Sequence, residues 1–259
     1  PVSVVTIHDF VWRVVPETMP VQRRLTERLL MARSIRSADR IICTSNAIAK
    51  ELGTLYPPHG GKVNVIPMAS TLQFADVTPP SDPPYALFVG VDPRKDLGSA
   101  MAGFGAFAQM PGAGGCELHV VGAVTRQEAP QSVRFLGNLS DQALAMQFAG
   151  CRCLLFPSRY EGFGLPIVEA FAAGKPAIVA DTPVGREVAG AGALFVRLGD
   201  AVGIADGLAS LMLDDTEWRV RAAAACARQK RFSWDRSARQ TFSVLVGDVI
   251  SQVPTSSAM

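Results

Sequence analysis

Strand-like and helix-like stretches alternate along nearly the whole chain, and that alternation breaks once. Val2–Ile7, Arg40–Thr44 and Lys62–Ile66 read as strands, with helices at Val21–Ser37 and from a Ser45 or Asn46 cap through Leu52. Residues 71–84 break the pattern, because Pro79-Pro80-Ser81-Asp82-Pro83-Pro84 neither propagates a helix nor sits inside a sheet. Strands resume at Tyr85–Val89, Glu117–Val121, Val133–Phe135, Cys151–Phe156, Ala177–Ala180 and Ala193–Val196. Between and after them, helices fit at Gly98–Gln109, Asp141–Ala149, Pro166–Ala173, Ala201–Leu213, Thr216–Arg228 and Trp234 to about Val249. Strands spaced by helices predict parallel sheets with right-handed crossovers. The expectation is two doubly wound α/β domains of unequal size. Residues 1–75 form the first and 85–232 the second, joined by a linker at 76–84 and followed by a crossover helix and tail at 233–259. Ligands of such folds bind at the carboxyl ends of strands.

Composition narrows the function classes. A net charge of +2 over 259 residues gives no ground for nucleic acid as a partner. The five cysteines lie in apolar segments and form no disulfide framework, which favours a reducing, cytoplasmic setting. Cys151 and Cys153 are one residue apart, so they read as strand residues with both thiols on one face, not as a metal pair. No apolar run reaches the ~20 residues of a membrane-spanning helix. The chain opens in mid-strand without a methionine, as expected of an amino-terminally truncated protein.

The segment richest in chemistry follows the Leu154–Phe156 strand: Pro157-Ser158-Arg159-Tyr160-Glu161-Gly162-Phe163-Gly164-Leu165-Pro166-Ile167-Val168-Glu169. Pro166 suits a first helical position, where its missing N–H costs nothing. Gly162 and Gly164 let backbone approach a ligand, and the free amides of Phe163, Gly164 and Leu165 would face an anion with the helix dipole behind them. Glu161 and Glu169 flank that anion site and suit hydroxyl groups. An anion between two polyhydroxylated groups describes a nucleotide-diphosphate sugar; the bland alternative is an ordinary strand–turn–helix with two surface glutamates.

This stretch resembles the Glu-x7-Glu signature of the retaining glycosyltransferases of family four (glycosyl transferases group 1), which have the GT-B architecture of two Rossmann-like domains. Further segments resemble the family in order: Leu87–Gly90 with Pro93-Arg94-Lys95-Asp96, Arg134-Phe135-Leu136-Gly137, Gly174-Lys175-Pro176, Arg186–Gly190 and Phe232-Ser233-Trp234. The resemblance implies that Glu161 binds donor-sugar hydroxyls and Glu169 the ribose. It implies that Gly164 and Leu165 amides meet the sugar and distal phosphate, and that Arg94 and Lys95 neutralise the leaving diphosphate. Gly90, Arg134, Gly162 and Phe163 complete the implied donor site, with no cofactor and no metal. The Gly90-to-Arg94 spacing is one residue shorter than the common family form, leaving open which cation meets which phosphate.

His8-Asp9 ends the first strand. A lone histidine there is usually structural, whereas the resemblance implies that His8 faces the donor sugar, with Asp9 orienting it or capping the next turn. The stretch 21–40 carries Arg23, Arg24, Arg28, Arg33, Arg36 and Arg40 among leucines. It is either a solvated helix face or a peripheral contact with anionic headgroups at the inner face of the cytoplasmic membrane. The expected function is transfer of a sugar to a glycan or polyprenyl-linked acceptor in surface polysaccharide synthesis. Adjacent Arg94-Lys95 resembles bacterial mannosyl- and rhamnosyl-type transferases, so GDP-mannose comes first among donors and UDP-sugars next. The alternatives are a non-catalytic nucleotide-sugar-binding fragment or another GT-B enzyme, an epimerase or phosphorylase. Gly162-Phe163-Gly164 lacks the third glycine of an NAD fingerprint.

Overall fold

The computed structural model describes residues 2–74, 80–123 and 130–246. Strands β1 (Val4–Ile7), β2 (Arg40–Cys43) and β3 (Val63–Val65) form a parallel sheet in that order. Short helix α1 (Val11–Val14), the long α2 (Val21–Ser37) and α3 (Asn46–Leu55) accompany it. Ser45 caps α3, its hydroxyl accepting from the Ile48 N–H at 3.2 Å. Ile7, Phe10, Ile35, Ile41, Ile48 and Leu52 make the core on that side.

The second sheet has six parallel strands: β4 (Tyr85–Val89), β5 (Glu117–Val121), β6 (Val133–Gly137), β7 (Cys153–Phe156), β8 (Ala177–Ala180) and β9 (Ala193–Val196). Their order is β6-β5-β4-β7-β8-β9. The chain winds outward from β4 to β6, then crosses back to β7 and winds the other way. That reversal opens a crevice between the carboxyl ends of β4 and β7, the place where such sheets take ligands. Alternate residues feed two cores, as the period of a doubly covered strand requires. Leu87, Leu154, Phe156 and Val179 pack with α5 (Asp141–Gly150), α6 (Leu165–Ala172) and α7 (Pro183–Ala189). Ala86, Phe88, Leu155 and Ile178 pack with α4 (Leu97–Phe107) and α8 (Ala201–Leu213).

After α9 (Asp215–Gln229), α10 (Trp234–Val246) returns to the first sheet. Its Val244 packs on Ile42 and Ile66, Arg40 donates to the Val244 carbonyl, and Ser237 Oγ donates to the Pro67 carbonyl at 2.5 Å. These contacts tie the end of the chain to the first sheet. No helix among the described residues is long and apolar enough to cross a membrane.

Several expectations need correcting. Cys151 and Cys153 lie on opposite faces of the sheet, one in each core. The strand begins only at Cys153, while the Cys151 N–H still closes α5 on the Gln147 carbonyl. Helices α1 and α7 were not expected, although Thr182 and Pro183 carry the cap-and-proline signal of a helix start. Arg40 belongs to β2 and is held by α10, so it is not part of the basic helix face. Of the expected linker, 80–84 carries no helix or strand and 76–79 lies outside the described residues, as do residues 247–259 of the tail.

Candidate functional site

Two loops line the crevice. The first leaves β4 at Gly90, whose φ of +89° suits a residue without a side chain. A Cβ there would lie 3.3 Å from Lys95 Cε, so the glycine makes room for the lysine stem. Asp92 Oδ1 accepts from the Arg94 N–H at 3.0 Å and tightens Pro93–Lys95 into a short turn. The second loop runs from Pro157 to Gly164 and is stitched to the first through the Arg94 carbonyl. That carbonyl accepts from the Arg159 N–H at 2.8 Å and from Ser158 Oγ at 3.2 Å.

The stitching brings the expected cation and carboxylate together. Lys95 Nζ lies 2.6 Å from Glu161 Oε1, with the two side chains only 12% and 13% exposed. Ser158 Oγ donates to the same oxygen at 2.6 Å. Lys95 Nζ also stands 4.7 Å from the Phe156 ring centroid, a distance at which a cation is attracted to the ring face. Arg94 is held loosely, its Nη1 3.9 Å from Asp9 Oδ2 and its Nε 3.6 Å from Asp92 Oδ1. Neither is a hydrogen bond, and Arg94 Nε is a buried donor without an acceptor.

Gly164, with φ of +86°, is the residue before α6, and Pro166 occupies its first turn. Pro166 has no N–H and the Ile167 N–H donates to the Gly164 carbonyl at 3.0 Å, so the amide of Leu165 is the one at this helix start that the helix itself does not satisfy. The Phe163 ring is buried edge-on against Phe232, with centroids 5.6 Å apart. Glu169 stands in α6; burial pushes its carboxyl up to about 7, with Lys95 opposing the rise and Asp141 adding to it.

Gly162 has a reason to be bare within the protein itself. A Cβ on it would lie 1.7 Å from the His8 carbonyl oxygen, so its bareness admits the backbone of the first sheet. Its own carbonyl accepts from Thr44 Oγ1 at 3.1 Å and Ser45 Oγ at 2.9 Å. Tyr160 bridges the same boundary, accepting from the Phe10 N–H at 2.8 Å and donating to Glu51 Oε2 at 2.9 Å. His8 is exposed at the carboxyl end of β1, on this side of the crevice, and Asp9 caps the next turn through the Val11 N–H.

Arg134 is not brought to the site. Its guanidinium donates to Glu117 Oε1 of the neighbouring strand at 2.5 Å, towards the amino end of the sheet. Of the same segment, only Gly137 ends at the carboxyl edge. Ser158, Tyr160 and Thr44 were missed as contributors. Tyr160 and Thr44 act through partners from distant segments, while Ser158 reaches Glu161 three residues on and the Arg94 carbonyl across the crevice. Among the described residues, no three His, Cys, Asp or Glu side chains are placed to hold a metal.

Residues 110–230 match the family model described as "Glycosyl transferases group 1". The chain is 25% identical to O-antigen chain mannosyltransferase B of Escherichia coli, covering 92% of this chain and 68% of that protein. It is 26% identical to O-antigen chain mannosyltransferase RfbU of Salmonella typhimurium, over 76% of this chain and 57% of the relative. Among solved structures, sucrose-phosphate synthase of Thermosynechococcus elongatus superposes with a TM-score of 0.75 at 21% identity, over 94% of this chain and 67% of that one. HepE of Anabaena, in complex with UDP and glucose, gives 0.74 at 21% identity, over 94% and 71%. The matched residues, 110–230, make this chain similar to the glycosyl transferases group 1 over that stretch, and its fold is GT-B.

Proposed function

We propose that this chain carries the donor site of a retaining glycosyltransferase that uses a nucleotide-diphosphate sugar. The observation that carries the reading is the Lys95–Glu161 pair beside the α6 N-terminus, at the point where the strand order reverses. In the ligand-free protein the two side chains satisfy each other. An arriving diphosphate replaces Glu161 as the partner of Lys95, Arg94 Nε gains the acceptor it lacks, and Glu161 turns to the sugar hydroxyls. Glu169 holds the ribose. Positive charge at the leaving diphosphate acts most strongly as charge develops there, and so lowers the barrier instead of only tightening binding.

The reaction breaks the bond from the anomeric carbon to the diphosphate oxygen and forms one from the acceptor oxygen on the same face. The acceptor proton passes to the departing phosphate. Arg94 and Lys95 stand where other enzymes use a metal, and the donor is the only small molecule required. His8 faces the donor sugar from the first sheet.

The mannosyltransferase names of the sequence relatives support GDP-mannose as the first donor, and UDP in the structural neighbour makes UDP-sugars the next. The O-antigen names favour a glycan or polyprenyl-linked acceptor. An approach to a lipid-linked acceptor is also supported by α2, where Val21, Leu25 and Leu29 are exposed along one face with Arg28 and Arg36.

Calorimetric titration with GDP, UDP, ADP and dTDP, without metal, tests the reading. One nucleotide is expected to bind, and to bind more weakly to Glu169→Ala. Binding of none, or equal binding to the variant, overturns the donor-site assignment.

A further inference from the structure

Glu187 lies on α7, outside the crevice, and spends its whole carboxylate on the other sheet. Its Oε1 accepts from the Asn46 N–H at 2.7 Å and Asn46 Nδ2 at 2.8 Å, and its Oε2 accepts from the Ala47 N–H at 2.9 Å. Asn46 and Ala47 open α3, so a carboxylate from one domain caps a helix of the other, where the dipole favours negative charge. The two residues just before them are Thr44 and Ser45, which hold the Gly162 carbonyl. Gly162 adjoins Glu161. One short run, residues 44–47, is thus gripped from α7 at one end and grips the Glu161 loop at the other.

We propose that Glu187 is a positioning residue for closure of the two domains: by seating the α3 N-terminus it sets Thr44 and Ser45, and through them the loop that presents Glu161. Every hydrogen bond in this relay crosses the boundary between the sheets, so opening the crevice breaks all of them together. The carboxylate suits a reversible catch, because α3 keeps its own cap in Ser45 and the freed carboxylate and amides return to water. The effect on donor binding rests on the function proposed above; the effect on closure does not.

The test reads closure and binding separately. Spin labels go on Thr54→Cys and Val202→Cys, both exposed, in a Cys226→Ser background; the other four cysteines are buried. The parent should give one distance population, and Glu187→Gln should add a longer one. Asn46→Asp supplies a second variant should Glu187→Gln fail to fold. An acidic residue in the first turn favours α3 itself while repelling Glu187, so its melting temperature should hold while the long-distance population appears. In both variants the nucleotide that binds the parent should bind about threefold to tenfold more weakly, a coupling of ordinary size for contacting groups. Unchanged distances in the variants overturn the catch. Longer distances with unchanged nucleotide affinity overturn its link to the Glu161 loop. If the parent binds no nucleotide, the donor reading fails, and the distances alone decide the catch.

Discussion

The two ends of the six-stranded sheet carry nearly the same chemistry. At the carboxyl end Lys95 pairs with Glu161 over the Phe156 ring, the two side chains 12% and 13% exposed. At the amino end His119 pairs with Glu117, 11% and 14% exposed, and stacks on Tyr85 at 3.8 Å. The difference is saturation. His119 places both ring nitrogens 2.9 Å from oxygens of Gln147 and Glu117, Glu117 spends its other oxygen on Arg134, and Tyr85 OH donates to the Gln147 carbonyl. At the carboxyl end, Glu161 Oε2 and the Glu169 carboxylate take no hydrogen bond among the described residues, and Arg94 Nε has no acceptor. One cluster has used its bonding capacity to hold the fold, and the other keeps capacity for a ligand. Residue types alone do not separate them.

The largest expected effect tests the carboxyl end. Glu161→Gln removes one or two charge-assisted hydrogen bonds to the sugar, each ~1.5–3 kcal/mol, so sugar transfer should fall by tenfold to several hundredfold or more. Full turnover by this variant would erase the distinction between the clusters. His119→Gln is the matching change at the amino end. It should cost ~1–3 kcal/mol in urea unfolding through the broken buried network, with turnover per folded molecule unchanged. A loss of turnover there would mean that the saturated cluster also serves the site.

Glu169 sharpens the contrast through pH. Burial pushes its carboxyl up from an ordinary 4.5 to about 7 in the folded protein. Its contribution to stability is therefore fully present below 4.5 and is lost as pH rises through 7. Ribose hydroxyls bind the ionised form best, so nucleotide affinity should climb by about fivefold between about pH 6 and about pH 7. Glu169→Gln should flatten that slope, and an unchanged slope would place the titrating group elsewhere. The smallest effect belongs to Arg134→Ala. This side chain is 57% exposed and far from the loops, so stability should shift by less than about 1 kcal/mol and donor affinity not at all. A clear fall in affinity would restore Arg134 to the donor site.

Much of the fold was legible because periodicity is local. The strands Tyr85–Val89, Glu117–Val121, Ala177–Ala180 and Ala193–Val196 and the helix Val21–Ser37 run where the pattern puts them. In the candidate site, Glu161, Gly164 and Pro166 were readable because a strand–loop–helix turn arranges them within a few residues. Lys95 was readable only through the family resemblance, and no sequence signal sets its Nζ 2.6 Å from Glu161. Gly162 was legible as a glycine but not by its reason. The atom that excludes a Cβ there is the His8 carbonyl, 154 positions earlier in the chain (162 − 8).

By itself the sequence determined the two α/β sheets, the glycine-and-proline turn ahead of α6, and the residue types at the crevice. Each depends on neighbours within a turn or a strand, where backbone geometry dictates the spacing. The tertiary structure alone decided which cation meets which carboxylate, which cluster is saturated, and that Glu187 caps a helix of the other sheet. Those outcomes depend on the strand order β6-β5-β4-β7-β8-β9 and on the docking of two sheets, which bring distant segments within hydrogen-bonding reach.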